Sequence, residues 1–131
     1  MGQGSDWLTA NPIPDPFISI QAMITRSNPF DESMPGQLNP DEAITLEEAI
    51  YINTLGGAEV LGVEDILGSI SVGKFADMII LDQNLFEIDV MNIFGTQVMQ
   101  TIVGGKLVYD RELHGSEDID PSRMLDRMQH E

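Results

Sequence analysis

The sequence contains no cysteine among its 131 residues. This absence excludes disulfide bonds, thiolate metal ligands and cysteine nucleophiles together. Cations are also scarce, since six Lys and Arg residues stand against 22 Asp and Glu residues and the formal net charge is −16. Because protein contacts to phosphate are made largely by Lys and Arg, we expect neither nucleic acid nor an anionic membrane as a partner.

Long apolar runs are missing too. No stretch approaches the ~20 residues of a membrane span, and no charged-then-apolar secretory leader opens the chain. Apolar residues nevertheless make up 42% of the sequence, which is more than a disordered acidic tail contains. The sequence therefore predicts a soluble, acidic, folded protein and leaves its compartment open between cytoplasmic and exported.

Two helices are predicted in the N-terminal half. Asp15 can cap a helix from Pro16 to about Arg26, because proline is tolerated in a first turn and apolar residues follow at helical spacing. A polar connection of residues 27–44 comes next. Thr45 and Glu48 then form a capping-box pattern that opens a second helix. We expect Gly56-Gly57 to interrupt that helix and Gly62 to end it.

Strands are predicted after Gly68. Ile70 and Val72 alternate with polar residues, and Met78–Leu81 is a continuous apolar segment. Residues 98–103 form a further strand, Gly104-Gly105 a two-residue hairpin turn, and residues 106–109 the returning strand. Beyond Arg111 the chain is acidic and polar until Asp120-Pro121, which can start a short terminal helix.

Two segments imitate binding motifs. Residues 68–75 nearly match a phosphate-binding P-loop, but Phe75 replaces the Ser or Thr that would hold magnesium, and the glycines flank a predicted strand. We therefore expect a strand and turn there. Residues 82–89 loosely resemble a calcium loop, yet Glu87 occupies the position of the required glycine and Phe86 that of a ligand. A solvated loop is favoured, and weak calcium binding elsewhere on so acidic a chain stays open.

The two histidines, His114 and His130, are isolated in the polar C-terminal region. A zinc site needs three or four converging ligands, so we interpret both as surface residues. The chain is not expected to assemble a catalytic zinc site alone. Ser-His-Asp catalysis is equally unsupported, because the sequence has no Gly-x-Ser-x-Gly elbow.

Several motifs together resemble the C-terminal part of an amidohydrolase-superfamily protein. The resemblance covers about residues 4–110 and favours the branch with N-substituted formamide deformylase and exoenzyme-regulator-like proteins. The motifs are Gly4-Ser5-Asp6-Trp7, Asn11 to Ile20, Thr25-Arg26, Thr45-Leu46-Glu47-Glu48-Ala49, Gly68-Ser69-Ile70, Val72-Gly73-Lys74, Ala76-Asp77, Leu81-Asp82 and Val98 to Val108.

The resemblance implies an α+β fragment: the last strand and closing helices of a metal-binding (β/α)₈ barrel, then the C-terminal strands of a small β-sandwich. Residues 1–66 would be the barrel end, residues 67–113 the sandwich part, and residues 114–131 an acidic tail with a short helix. Asp6 would end the eighth barrel strand, contact a divalent metal such as zinc, and shuttle a proton during hydrolysis. The connection 27–44 would be a rim loop.

Four further residues receive structural interpretations. By the resemblance, Asp77 lies in the sandwich, away from the metal, and caps a turn or backbone group. Lys74 and Lys106 are expected to be solvated at hairpin turns. Arg26, the first cation in the chain, is expected in a salt bridge, and a role at the rim of the site is the alternative.

Two functions remain open at this stage. The longer protein would be a metal-dependent hydrolase of amide-like or formamide-like C–N bonds in small molecules. The isolated chain would then be inactive, because the family's other metal ligands are absent from it. Alternatively, the chain is a non-catalytic interaction module whose exposed helix faces associate with another copy or with a complementary barrel fragment.

Overall fold

The computed structural model describes residues 1–3, 14–29 and 37–114. It shows a small α+β arrangement, with helices first and a three-stranded antiparallel sheet after them. The helices are α1 (Pro16–Thr25), α2 (Leu46–Asn53), α3 (Leu55–Leu61) and α4 (Arg111–His114), and the strands are β1 (Met78–Leu81), β2 (Val98–Val103) and β3 (Lys106–Asp110). Short 3₁₀ helices occupy Pro40–Glu42 and Val90–Gly95. None of the described helices is long and apolar enough to cross a membrane.

Helix α1 forms as its sequence predicts. The Asp15 side chain accepts a hydrogen bond from the Phe17 amide at 2.9 Å, and Pro16 occupies the first turn, where its missing amide hydrogen costs nothing. The helix ends when Arg26 adopts a left-handed conformation, with φ of 56°, and donates its backbone N–H to the Ala22 carbonyl. The predicted end at about residue 26 is confirmed to within one residue.

Helices α2 and α3 are separated at Thr54, two residues before the predicted interruption at Gly56-Gly57. The Thr45 and Glu48 capping box that opens α2 is confirmed in both directions. At the other end, the Thr54 hydroxyl donates to the Ile50 carbonyl at 2.7 Å, and the Thr54 backbone leaves helical geometry. Such side-chain bonds to the preceding turn compete with the helical ladder. Both glycines instead lie inside α3, which Gly62 ends with φ of 69°.

The sheet has the order β1-β2-β3, and both neighbouring pairs are antiparallel. Gly104 and Gly105, which join β2 to β3, have φ values of 56° and 78°. Two consecutive positive φ angles characterise the two-residue hairpin turn whose twist matches that of the strands, and glycine adopts them without steric cost. The predicted hairpin is therefore confirmed.

The predicted strand around Ile70 and Val72 is wrong. Residues 68–77 run through turns and extended backbone without pairing, and the side chains of Ile70 and Val72 are exposed. Gly68 and Gly73, at φ of 86° and 96°, take the chain out of strand geometry on either side. Alternation of apolar residues predicts a strand only where a neighbouring strand can pair with it, and β1 pairs with β2 instead.

The core joins the helices to the segment between β1 and β2. Its buried members are Phe17, Ile20, Ala49, Leu85 and Ile93, with exposures between 0% and 8%. The core thus draws side chains from both sides of residue 66, and the division into barrel and sandwich parts stays a prediction. The predicted helix after Asp120-Pro121 lies outside the described residues.

Candidate functional site

The residue predicted to act in catalysis, Asp6, lies outside the described residues, as does the rest of the Gly4-Ser5-Asp6-Trp7 motif. Its proposed roles as metal contact and proton shuttle therefore stay predictions. The structure does describe the segments on both sides of this motif. Residues 1–3 precede it, and Pro14 and Asp15 lead into α1 after it.

The segment before the motif contacts helix α3. A Cβ atom on the buried Gly56 would overlap the Met1 carbonyl oxygen, and a Cβ atom on Gly2 would lie 3.3 Å from the Gly57 Cα atom. Glycine at these positions lets the two backbones approach closely. Residues 1–3 are thus packed directly on α3.

On the other side of the motif, Asp15 is a half-buried carboxylate. Burial raises the pKa of Asp15, while the hydrogen bond from the Phe17 amide opposes that rise. A raised folded-state pKa means that the folded chain binds this proton more tightly than the unfolded chain. The Asp15 contribution to stability therefore falls as the pH rises from the ordinary value near 3.8 through the raised pKa, even though the side chain caps α1.

Arg26, at the far end of α1, closes the base of the 27–44 connection. Its Nε donates to the Leu38 carbonyl at 2.8 Å, and the Leu38 amide donates to the Arg26 carbonyl at the same distance. Nη2 of Arg26 lies 3.5 Å from Glu42 Oε2. The predicted salt bridge is confirmed. Because Glu42 is largely exposed, this ion pair contributes less to holding residues 26 and 38 together than the two hydrogen bonds between Arg26 and Leu38 do.

Residues 68–75, the segment that resembles a P-loop, do not have the structure of one. Lys74 is half-buried and donates from Nζ to the Leu67 carbonyl at 3.2 Å. The expectation that Lys74 is solvated is therefore wrong, because the turn folds the side chain back onto the preceding backbone. Lys106 is exposed, as expected. The segment leads into β1 rather than from a strand into a helix, which is the context that a P-loop needs.

Asp77 has the structural role that the sequence predicts. Its Oδ1 accepts a hydrogen bond from the Gly104 amide at 2.7 Å, and the neighbouring Ala76 carbonyl accepts one from Gly105 at 3.0 Å. These two bonds fasten the β2–β3 hairpin turn to the chain entering β1. The confirmed role of Asp77 is backbone capping.

Two of the carboxylates of residues 82–89, those of Asp82 and Asp89, also accept hydrogen bonds from backbone amides. Asp82 Oδ1 accepts from the Gln97 amide at 2.9 Å, and Asp89 Oδ1 accepts from the Met91 amide at 2.9 Å, where it caps the 3₁₀ helix Val90–Gly95. Asn84 Oδ1 accepts from Phe86 at 3.1 Å. The acidic residues whose spacing resembles a calcium loop thus stabilise turns. Across residues 1–3, 14–29 and 37–114, no three His, Asp or Glu side chains converge as metal ligands would.

An apolar cavity of about 660 Å³ lies between the start of α3 and the sheet. Leu55, Ile70, Met78, Ile79 and Ile102 contribute to its wall, with Asp77 at the same site. The Asp77 carboxylate already accepts a hydrogen bond from the Gly104 amide. The rest of the cavity wall is mostly apolar and offers no other ionisable side chain for catalysis.

One important polar residue carries no motif. Gln21 is 1% exposed, and its Oε1 accepts a hydrogen bond from the Phe94 amide at 2.9 Å. The bond joins α1 to the 3₁₀ helix Val90–Gly95. The one indication of its burial in the sequence is its position. Gln21 follows Phe17 by four residues and so lies on the apolar face of α1.

Comparison with known proteins shows which family this chain belongs to. The described residues form helices followed by a three-stranded antiparallel sheet, and the candidate catalytic residue Asp6 falls between the described segments 1–3 and 14–29. The model of the amidohydrolase family matches residues 1–109. The chain is 33% identical over 107 residues to Protein LONG AFTER FAR-RED 3 of Arabidopsis thaliana, which covers 81% of this chain and 17% of that protein.

Two further relatives are named for an activity. The chain is 37% identical over 81 residues to N-substituted formamide deformylase of Arthrobacter pascens, covering 61% of this chain and 15% of that enzyme. It is 55% identical over 47 residues to 5'-deoxyadenosine deaminase of Methanobrevibacter smithii, covering 36% of this chain and 11% of that enzyme.

The chain is thus similar to a deaminase, a deformylase and the Arabidopsis protein. The chain belongs to the amidohydrolase family, as the resemblance of its motifs predicts. It spans about one-sixth or less of the length of these three relatives.

Proposed function

We propose that the chain is the C-terminal part of a metal-dependent amidohydrolase that hydrolyses C–N bonds of small amide-like or formamide-like molecules. The observation that carries this proposal is the family match over residues 1–109. The similarity to a deformylase and a deaminase supports it, because both names describe enzymes that release a group from nitrogen or an amino group from carbon.

Asp6 is the residue of this chain that we place in the active site. In hydrolysis, water adds to the carbonyl-type carbon, the C–N bond breaks, and one proton must move from the water to the leaving nitrogen. An ionised carboxylate beside the attacking water can accept that proton and then deliver it. No cluster of metal ligands occurs among the described residues. By the resemblance, most ligands of a divalent metal such as zinc would belong to earlier parts of the longer protein.

The direction of α1 bears on which face would hold the site. Barrel active sites lie at the carboxyl ends of the strands, where the following helix begins. If Asp6 ends a barrel strand, the Asp15 end of α1 faces the mouth. Arg26 lies at the other end of this 10-residue helix, about 15 Å away at 1.5 Å per residue. We therefore assign residues 27–29 and 37–44, the described ends of the 27–44 connection, to the opposite face, which revises the rim-loop hypothesis.

The coding region upstream of Met1 tests the proposal simply. A His-x-His pair several hundred residues earlier is the expected finding, and its absence would contradict the proposal. Purified isolated chain with added zinc should hydrolyse an amide panel no faster than buffer, because it lacks most of the proposed ligands. Hydrolysis above buffer would contradict the inactivity of the isolated chain alone.

The second candidate is a non-catalytic interaction module. Of the helix faces expected to be exposed, that of α1 is buried at Phe17 and Ile20, whereas Val60 and Leu61 of α3 are 66% and 76% exposed. The sheet adds further exposed apolar side chains, Ile79, Val103, Leu107 and Val108, with exposures between 49% and 55%. Apolar surface of this kind marks interaction sites. Light scattering tests this candidate: it predicts self-association of the isolated chain, whereas a monomer that binds no hydrophobic dye would contradict it.

A further inference from the structure

We draw no further inference here: the strongest candidate, the apolar cavity of about 660 Å³ between the start of α3 and strands β1 and β2, carries nothing because nothing in the described part of the chain shows what covers it.

Discussion

The hydrogen bond from the Phe94 amide to Gln21 provides the sharpest test of how the two halves of the chain are held together. Gln21 is 1% exposed and joins α1 to the 3₁₀ helix Val90–Gly95, whose residue Phe94 lies 73 positions away in the sequence. Gln21→Leu keeps the approximate volume of the side chain but removes the acceptor. The Phe94 amide then loses this partner in a bond that is partly buried.

Loss of the acceptor of a partly buried donor costs about 1 kcal/mol, the lower end of the range for buried donors. With a urea m-value of about 2 kcal/mol/M, this loss lowers the unfolding midpoint by about 0.5 M. The assay is urea unfolding of the chain followed by circular dichroism. The matched control is Gln97→Leu, since Gln97 is exposed and surface changes usually stay within about 0.5 kcal/mol.

A second substitution separates the lost acceptor from a packing defect. Gln21→Glu retains an acceptor oxygen but buries a carboxyl group, whose pKa burial raises. Because the folded variant then binds its proton more tightly than the unfolded one, its stability relative to wild type should fall as the pH rises. Equal midpoints for Gln21→Leu and Gln97→Leu, or a Gln21→Glu deficit that does not change with pH, would refute this account of the bond.

Three other predictions concern single positions. Asp15→Ala should cost about 1 kcal/mol by removing the cap, whereas Asp15→Asn keeps the cap and should abolish the fall in stability above the ordinary pKa; unfolding curves across pH measure both. Asp77→Ala should cost about 1 kcal/mol and speed hydrogen exchange at the Gly104 amide. Unchanged exchange there would contradict a stabilising role for the hydrogen bond between Asp77 and the Gly104 amide. Gly68→Ala should destabilise the chain more than Gly62→Ala in thermal unfolding, because both have positive φ but only a Cβ at Gly68 would lie 2.8 Å from Ala58 and Leu55 atoms. Similar losses in the two glycine variants would show that the close packing is relieved cheaply.

Local motifs predicted most of the secondary structure. The Asp15 cap, the Thr45 and Glu48 capping box and the Gly104-Gly105 turn each act within four residues of the chain. Their signals are therefore complete in the sequence itself. The family resemblance also correctly indicated that Asp77 binds backbone.

Features that depend on distant partners escaped prediction. Alternation at Ile70 and Val72 indicated a strand, but pairing needs a neighbour, and β1 and β2 pair with each other instead. Lys74 looked solvated because its acceptor, the Leu67 carbonyl, is a backbone group that no side-chain pattern reveals. The role of Gln21 depends on how the 3₁₀ helix Val90–Gly95 packs on α1, which a one-dimensional pattern does not encode.

Asp6 belongs to a different category, because its assignment comes from the family resemblance and neither the fold nor the contacts of the described residues test it. The described structure contributes its surroundings: residues 1–3 packed on α3, and α1 beginning at Pro16 after the Asp15 cap. These surroundings are what make the orientation of the proposed active site a definite hypothesis.

The most direct test of the proposed function is the Asp6→Asn substitution in the full-length protein that contains this chain. The assay compares kcat and KM on a panel of formamides, amides and amino-substituted heterocycles, with Asp77→Asn as the control, because asparagine can still accept from the Gly104 amide. We predict C–N hydrolysis by the wild-type protein, a kcat about 10²–10⁴-fold lower for Asp6→Asn, and near-wild-type rates for the control. Full activity in Asp6→Asn would contradict the assignment of Asp6, and no hydrolysis of any panel member by the wild-type protein would contradict the proposed function itself.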